Sequence, residues 1–403
     1  MSDVSRLRWL FGEGRRHLFE GIESSLNDTS SGRAHSGLST WQSELLREQR
    51  SYHVRARDRF PSLTNWIWTD RSLQQATDER SAHFTASLFP QDAMVIDGCC
   101  GAGSNAFALA RHGCRTVAVD NDRAMCELAR SNLQHQGLSA EIVHADVMTI
   151  LADRKNVFVH FDPDRRPGDR RTQQGDQFQP PLDALCGLAE RAAGAAIKVA
   201  PGTEFDEPHA LYTSGPWKRI WIGRNRECPV QLLVRGAVDQ PAFAHSRSAV
   251  LLQDMRAPLI FSADPETAES IDEISHRFLY ELHPALYAAE LSGAWAAGNG
   301  LACLGGSLGY FFGDERIDSP WLQGFEILGI EAWDDRKIRA WLRKFGAGEL
   351  EVKKRLIQLD ANLYQRKYSQ PEGTPVTCLV TRIGRSTKAV FAKRLSSSVQ
   401  SAT

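Results

Sequence analysis

The sequence predicts an α/β protein: a parallel sheet closed by an antiparallel hairpin, with helices before it and an α+β segment after it. Three observations carry this. Five short apolar runs (93–97, 116–120, 141–144, 157–162 and 195–199) are each separated from the next by a helix-length segment. Strands alternating with helices make βαβ units, whose strands lie parallel. The next two runs, 219–222 and 230–235, are too close for a helical crossover and are expected to pair antiparallel. The first strand then turns through Gly98 and Gly101-Ala102-Gly103 into a helix, as the Gly-rich turn of a doubly wound sheet does.

The elements follow in order. Residues 1–90 carry no strand pattern; Trp9, Leu10, Phe11, Leu18, Phe19 and Ile22 recur at helical spacing, 27–39 is a polar loop, and 41–60 is helical again. A third helix starts after Gln75-Ala76-Thr77, with Thr77 as a good N-cap and Asp78 and Glu79 suited to the positive helix start. After the hairpin come an edge strand at 248–253, a linker at 262–266 and a helix at 284–298. A Gly305-Gly306 turn, a basic helix at 335–345, a strand at 350–354 and a hairpin of 375–383 with 388–393 complete the chain. The expected organisation is a helical region 1–90, an α/β domain 91–260 and an α+β domain 267–395.

At 403 residues the chain is long enough for two or three domains. Net charge is −1, so the whole-molecule field implies neither nucleic acid nor membrane. Between 334 and 394, however, fifteen Lys/Arg face six Asp/Glu, which suggests a polyanion partner or a solvated helix face. The eight cysteines show no CxxC spacing and no accompanying histidines, which argues against a structural metal and a disulfide framework. No apolar run reaches the roughly 18 residues of a membrane span and no signal sequence opens the chain, so a cytoplasmic location is expected.

The chemistry concentrates at strand ends. Small residues at Gly98, Cys100, Gly101 and Gly103 let a ligand approach the backbone. Such a turn also serves dinucleotides, but the Asp97 carboxylate would repel a pyrophosphate, whereas it can pair with the ammonium of S-adenosylmethionine. Asp120, with Asn121 after it, ends the second strand seventeen residues after Gly103 and can accept both ribose hydroxyls; a nicotinamide dinucleotide predicts the same residue. Asp146 ends the third strand and can accept from an adenine amino group while the Val147 N–H reaches a ring nitrogen. Three acids at three consecutive strand ends are hard to assign to fold maintenance.

With these residues, segment 93–163 resembles the core of class I S-adenosylmethionine-dependent methyltransferases, a Rossmann-like sheet. Its loop Asp97-Gly98-Cys99-Cys100-Gly101-Ala102-Gly103 is similar to that of the RNA cap guanine-N2 methyltransferases, the trimethylguanosine synthase family. Thr77, Glu79 and Ala82 match that family's T-x-E-x-x-A segment, with Asp78 where a proline is usual. The resemblance implies that Thr77 helps to close over the cofactor. Trp68-Thr69, Gln75-Ala76-Thr77, the strand-four D-P-x-R-R, Ile197 to Gly202 and Glu349 to Arg355 together resemble bacterial proteins that join such a core to a C-terminal THUMP-like domain. THUMP domains bind tRNA, so the resemblance implies an RNA substrate.

Asp162 and Pro163 fill the first two places of the [DNS]-P-P-[YFW] loop with which base-amine methyltransferases hold the reacting amine, and are expected to be catalytic. Asp164 and Arg165 stand where the second proline and the aromatic belong, which puts guanine N2 in doubt. Trp66 or Trp68 could supply stacking or sit in the core. Arg165 and Arg166, with Arg170 and Arg171, suit phosphate recognition or local ion pairs. Lys198, in an apolar strand, suits pairing with a strand-end carboxylate or contact with substrate, the pairing being the favoured expectation. Lys353, Lys354 and Arg355 read as an RNA patch or an exposed strand face. The leading expectation is an RNA-directed methyltransferase acting on a base nitrogen. A methyltransferase of proteins or acidic small molecules, a non-catalytic cofactor-binding RNA adaptor and a nicotinamide-dependent oxidoreductase are the alternatives.

Overall fold

The computed structural model describes residues 3–19, 37–165, 172–203, 217–254, 256–304 and 309–396. The chain divides into two compact units, one of Met1–Lys218 with Leu232–Pro241, the other of Arg219–Gln231 with Ala242–Thr403. The first division falls inside the segment 91–260 that the sequence assigns to one domain.

In the first unit, β1 (Met94–Gly98), β2 (Arg115–Asp120), β3 (Glu141–His144), β4 (Phe158–Phe161) and β5 (Gly194–Val199) lie in the order β3-β2-β1-β4-β5, all parallel. Every residue of β5 is buried, Lys198 included, as a central parallel strand requires. The crossovers begin with α6 (Ser104–His112), α7 (Arg123–His135) and α8 (Val147–Leu151). Asp122 caps α7 by accepting from Ala124 N and Met125 N, and Asp146 caps α8 by accepting from Met148 N at 2.8 Å. One face of the sheet packs Ile96, Val119, Phe161 and Ile197 against α9 (Leu182–Ala189).

Before the sheet run α1 (Asp3–Trp9), α2 (Arg15–Phe19), α3 (Thr40–Ala56), α4 (Asp70–Gln75) and α5 (Glu79–Ser87). Leu10, Leu18, Leu46, Trp66 and Trp68 form one core with Phe107 of α6 and Leu128 of α7. Both tryptophans are fully buried core residues. Most of the polar loop 27–39 lies outside the described residues. Asp78, not Thr77, caps α5: its carboxylate accepts from Ser81 N, which leaves the Thr77 hydroxyl for other partners.

β6 (Lys218–Arg224) and β7 (Glu227–Gly236), the second of which belongs to the second unit up to Gln231 and to the first from Leu232, are joined by Asn225 and Arg226, a two-residue connection with Asn225 at φ +52 that suits an antiparallel hairpin. β8 (Arg247–Leu252) runs parallel to β6, and β9 (Leu259–Ala263) antiparallel to β8. Ser262 and Ala263 therefore belong to a strand, where the sequence suggested a linker. Trp221 of β6 and Ala249 and Leu251 of β8 share a core with Tyr280, Leu282 and Leu286 of the second unit.

A seven-stranded sheet follows, in the order β11-β12-β10-β13-β16-β15-β14. Its strands are β10 (Phe278–Leu282), β11 (Ala302–Leu304), β12 (Tyr310–Gly313), β13 (Leu322–Ala332), β14 (Ala347–Lys354), β15 (Thr374–Ile383) and β16 (Ser386–Arg394). The expected helix 284–298 is two short helices, α10 (Pro284–Ala288) and α11 (Ser292–Gly298), separated where Glu290 takes φ +59. α12 (Asp335–Phe345) buries Ile338 and Leu342, and α13 (Ala361–Tyr368) packs beside β14. The Gly305-Gly306 turn lies outside the described residues. Among them no helix is long and apolar enough to cross a membrane.

Candidate active site

A cleft of about 880 Å³ opens at the carboxyl ends of β1–β4, within the first unit. Cys100, Gly101, Asp120, Asn121, Asp146, Val147, Asp162, Pro163 and Arg165 all line it. That is where ligands bind in doubly wound sheets. Among the described residues none before Arg71 lines it, so α1–α3 contribute to the core rather than to the cleft wall.

The glycines of the first turn differ in what they permit. A Cβ on Gly98 would lie 2.7 Å from the Phe161 ring and 2.8 Å from Val147, so Gly98 is required by packing. Gly101, at φ +54, has nothing within 4 Å of the same position and lies on the open side of the turn. Gly103 starts α6 at φ +92.

Asp120 Oδ2 accepts from Gly101 N at 2.8 Å and Oδ1 from Asp122 N at 2.9 Å, which fixes the carboxylate against the turn. Burial raises its pKa against those two hydrogen bonds. Asp97 lies behind the cleft wall. Its register partner on β4 is His160, whose Nδ1 is 2.7 Å from Asp97 Oδ1, both side chains being buried. Burial, opposed by His160, raises the Asp97 pKa, and Oδ2 has no hydrogen-bond partner among the described residues. Burial also pushes the Cys99 thiol up, away from nucleophilic reactivity.

On the floor, Lys198 Nζ lies 2.7 Å from Asp162 Oδ2 and 2.6 Å from Thr77 Oγ1. Thr77 Oγ1 donates to the same Asp162 oxygen at 2.9 Å, and Asn105 Nδ2 does so at 3.2 Å. Burial would raise the Asp162 pKa, but the Lys198 ammonium overrides it and holds the carboxyl below its ordinary range. Asn105 Oδ1 is buried without a partner among the described residues. Asn105 is not among the expected site residues; the signal for it was a polar side chain in the first turn of the helix that follows the glycines.

The strand-four loop is tied down by residues of α4. Asp164, which stands in place of the second proline, accepts from Arg71 Nη2 at 2.8 Å and Gln75 Nε2 at 3.2 Å. Arg166, Arg170 and Arg171 lie outside the described residues. Phe178 lines the cleft but is itself buried.

In the second unit, Lys353 Nζ is 2.6 Å and Arg226 Nη2 3.2 Å from Glu281 Oε2, while Arg355 Nη2 is 3.5 Å from Oε1. Arg355 also lies over the Tyr287 ring, and Lys354 donates to Leu359 O. Two of the three basic residues of this stretch thus meet on one internal acid.

A methyltransferase-domain family model matches residues 95–161, the stretch that builds the turn and β1–β4, and a THUMP-domain-like model matches 322–394. The chain carries a methyltransferase domain joined to a THUMP-like domain. Two relatives from Mycobacterium tuberculosis, strains CDC 1551 / Oshkosh and H37Rv, are named as uncharacterized S-adenosylmethionine-dependent methyltransferases. Each is 28% identical over 326 residues, 80% of this chain and 86% of theirs. A release factor glutamine methyltransferase from Mycolicibacterium smegmatis is 42% identical over 64 residues, 15% of this chain and 22% of its own. A crystal structure from Porphyromonas gingivalis W83, assigned as a methyltransferase, superposes with a TM-score of 0.73 at 15% identity, over 96% of this chain and 99% of that one. That last likeness speaks for the fold. The methyltransferase domain thus belongs to an S-adenosylmethionine-dependent enzyme, with that sulfonium as its cofactor.

The cleft's residues fit that cofactor. Asn105 Oδ1, without a donor among the described residues, open space at Gly101 and acids at the ends of β2 and β3 suit a ligand rich in donors and carrying a positive charge.

Proposed function

We propose that this enzyme methylates RNA at a base nitrogen, with the cofactor held across the turn of β1 and the ends of β2 and β3. Asp120 receives the ribose hydroxyls, Asp146 the adenine amino group, and the Val147 N–H an adenine ring nitrogen. The loop from Cys100 to Gly103 passes close along the cofactor, and Asn105 takes its ammonium, with Asp97 behind it. The bound cofactor supplies an electrophilic methyl group. Asp162 and Pro163 present the target amine to it, and Arg165 with Arg166 meets the substrate's phosphates. Guanine N2 is the first atom to examine, because the Asp97–Gly103 loop is similar to that of the cap guanine-N2 enzymes.

One observation carries the choice of RNA. α12 exposes Arg336, Lys337, Arg343 and Lys344, none of which has an ion pair among the described residues, beside a half-exposed Phe345. α13 adds Arg366, and is joined to α12 where Lys367 Nζ pairs with Asp335 at 2.6 Å and Tyr368 Oη donates to the same acid at 2.8 Å. Unneutralised cations on joined helices are an electrostatic footprint for a phosphodiester backbone. They serve that role better than Lys353 and Arg355, which already meet Glu281.

The test is methyl transfer to bulk RNA from a strain lacking the protein, with isotopically labelled cofactor and nucleoside mass spectrometry. Label is expected in one nucleoside, removed by Asp162→Ala and weakened by reversing the charges of Arg336, Lys337, Arg343 and Lys344. No label in any nucleoside, with cofactor binding intact, would sink the RNA reading.

A further inference from the structure

Lys198 stands in a strand whose other side chains are small or apolar, with its own side chain only 6% exposed at the cleft. A buried charge without a partner is strongly unfavourable, so the pair with Asp162 explains how the lysine is tolerated. It does not explain the asymmetry of the pair. Three donors, Lys198 Nζ, Thr77 Oγ1 and Asn105 Nδ2, converge on Asp162 Oδ2. No donor among the described residues reaches Oδ1, although Asp162 lines the cleft. A pair built only for stability would close both oxygens.

We propose that Lys198 is a positioning residue for methyl transfer. With Thr77 and Asn105 it closes one oxygen of Asp162 and fixes the other toward the cleft, as a charged acceptor for an N–H of an uncharged nucleophile. The proposal rests on the reading that Asp162 meets the substrate. Its consequence is selectivity: an amine or amide nitrogen is gripped, while a carboxylate nucleophile is repelled by the ionised Asp162. In the transfer, the nitrogen lone pair forms the new N–CH3 bond as the C–S bond breaks and leaves its electron pair on sulfur. The surplus proton on nitrogen departs to water. Asp162 Oδ1 accepts the hydrogen bond throughout without taking the proton, because a carboxylate stabilised by an adjacent ammonium is a poor base.

Other charged groups face the pair: Asp97 on β1, His160 on β4, Arg165 in the strand-four loop and Asp78 before α5. All are common to the full-length wild type and Lys198→Met, so a difference between the two reports the lysine. Three quantities are compared: the carboxyl carbon-13 titration of Asp162, assigned with Asp162→Asn; cofactor affinity by calorimetry; and methyl transfer to the RNA as a function of pH.

In Lys198→Met, burial no longer opposed by the ammonium should raise the Asp162 midpoint by about 3–5 pH units, toward the neutral range. Cofactor affinity should change less than about threefold, and kcat near neutral pH should fall about 100-fold, with KM for the cofactor unchanged. Activity should recover as pH is raised, and Lys198→Arg should restore part of it. Should Lys198→Met fail to fold, Thr77→Val keeps the lysine, removes one donor and is expected to show a smaller shift in the same direction. A stationary midpoint with RNA still methylated overturns the proposal alone, as does a loss of activity independent of pH. A shifted midpoint with no methylated RNA sinks the reading beneath it and the proposal with it.

Discussion

Asp162 in the first unit and Glu281 in the second are both carboxylates with little exposure, each with a lysine Nζ within 2.7 Å. Both are held below the ordinary carboxylate range by that lysine, against the opposing effect of burial. They differ in how their oxygens are used. Glu281 spends both, Oε2 on Lys353 and Arg226 and Oε1 on Arg355. Asp162 spends one and leaves the other on a cleft. The same ion-pair chemistry thus serves cohesion where it is closed on all sides and is available for catalysis where it is left half open. A cluster of cations in the sequence, such as Lys353 to Arg355, says nothing about which of the two it is.

The sharpest way to break this comparison is to remove the closed acid. Glu281→Ala leaves three cations facing one another and should cost about 3–5 kcal/mol of stability in chemical denaturation. Cofactor affinity at the other unit's cleft should stay within about twofold. A parallel loss of affinity would show that Glu281 is not a purely cohesive group.

Acid should separate the carboxylates from the histidines. Burial lowers the His283 pKa to about 4, and its Nδ1 accepts from Ala285 N at 3.1 Å, a bond that protonation destroys. The unfolded histidine titrates near 6.5. The folded form therefore binds fewer protons between those values: stability is full above about pH 6.5 and falls as pH drops toward 4, by on the order of 3 kcal/mol. His53, likewise lowered to about 4 by burial, acts in the same direction in the first unit. Asp162 and Glu281, held low, stay ionised through most of that window and lose their contribution only at still lower pH. Denaturation curves from pH 7 to pH 4.5 should flatten in His283→Gln; an unchanged slope would place the loss elsewhere.

The smallest expected effects separate two glycines of one turn. Gly98→Ala forces a methyl against Phe161 and Val147 and should destabilise by about 1–3 kcal/mol. Gly101→Ala meets no atom, so its cost is the roughly 1 kcal/mol of a left-handed backbone, and its larger effect should be weaker cofactor binding. Equal effects on binding from both would erase the distinction between a packing glycine and a ligand-facing one.

Much of the fold was legible because its signals are local. The expected strand 93–97 is β1, the helix 335–345 has the limits of α12, and the terminal hairpin is β15 with β16. Gly101 and the acids Asp120, Asp146 and Asp162 stand close in sequence to the elements that place them, and they line one cleft, whereas Asp97, Gly98 and Gly103 do not line it. What stayed hidden depends on partners remote in sequence. Thr77 read as a helix cap, but Asp78 takes that place and Thr77 turns to Lys198, 121 residues away. Lys353 read as a surface cation, but its partner Glu281 lies 72 residues earlier. The break between α10 and α11 turns on one residue, Glu290, whose positive φ no periodicity announces.

The central claim, that the cleft binds the cofactor at one end and reacts at Asp162 at the other, is tested most directly by splitting binding from transfer. Cofactor affinity by calorimetry and methyl transfer to RNA would be measured on the wild type, Asp120→Ala and Asp162→Asn. The account predicts that Asp120→Ala loses affinity by at least about tenfold, the worth of a charge-assisted hydrogen bond. It predicts that Asp162→Asn keeps its affinity and loses transfer by about 100-fold or more. Loss of binding in both variants, or full transfer by Asp162→Asn, would contradict it.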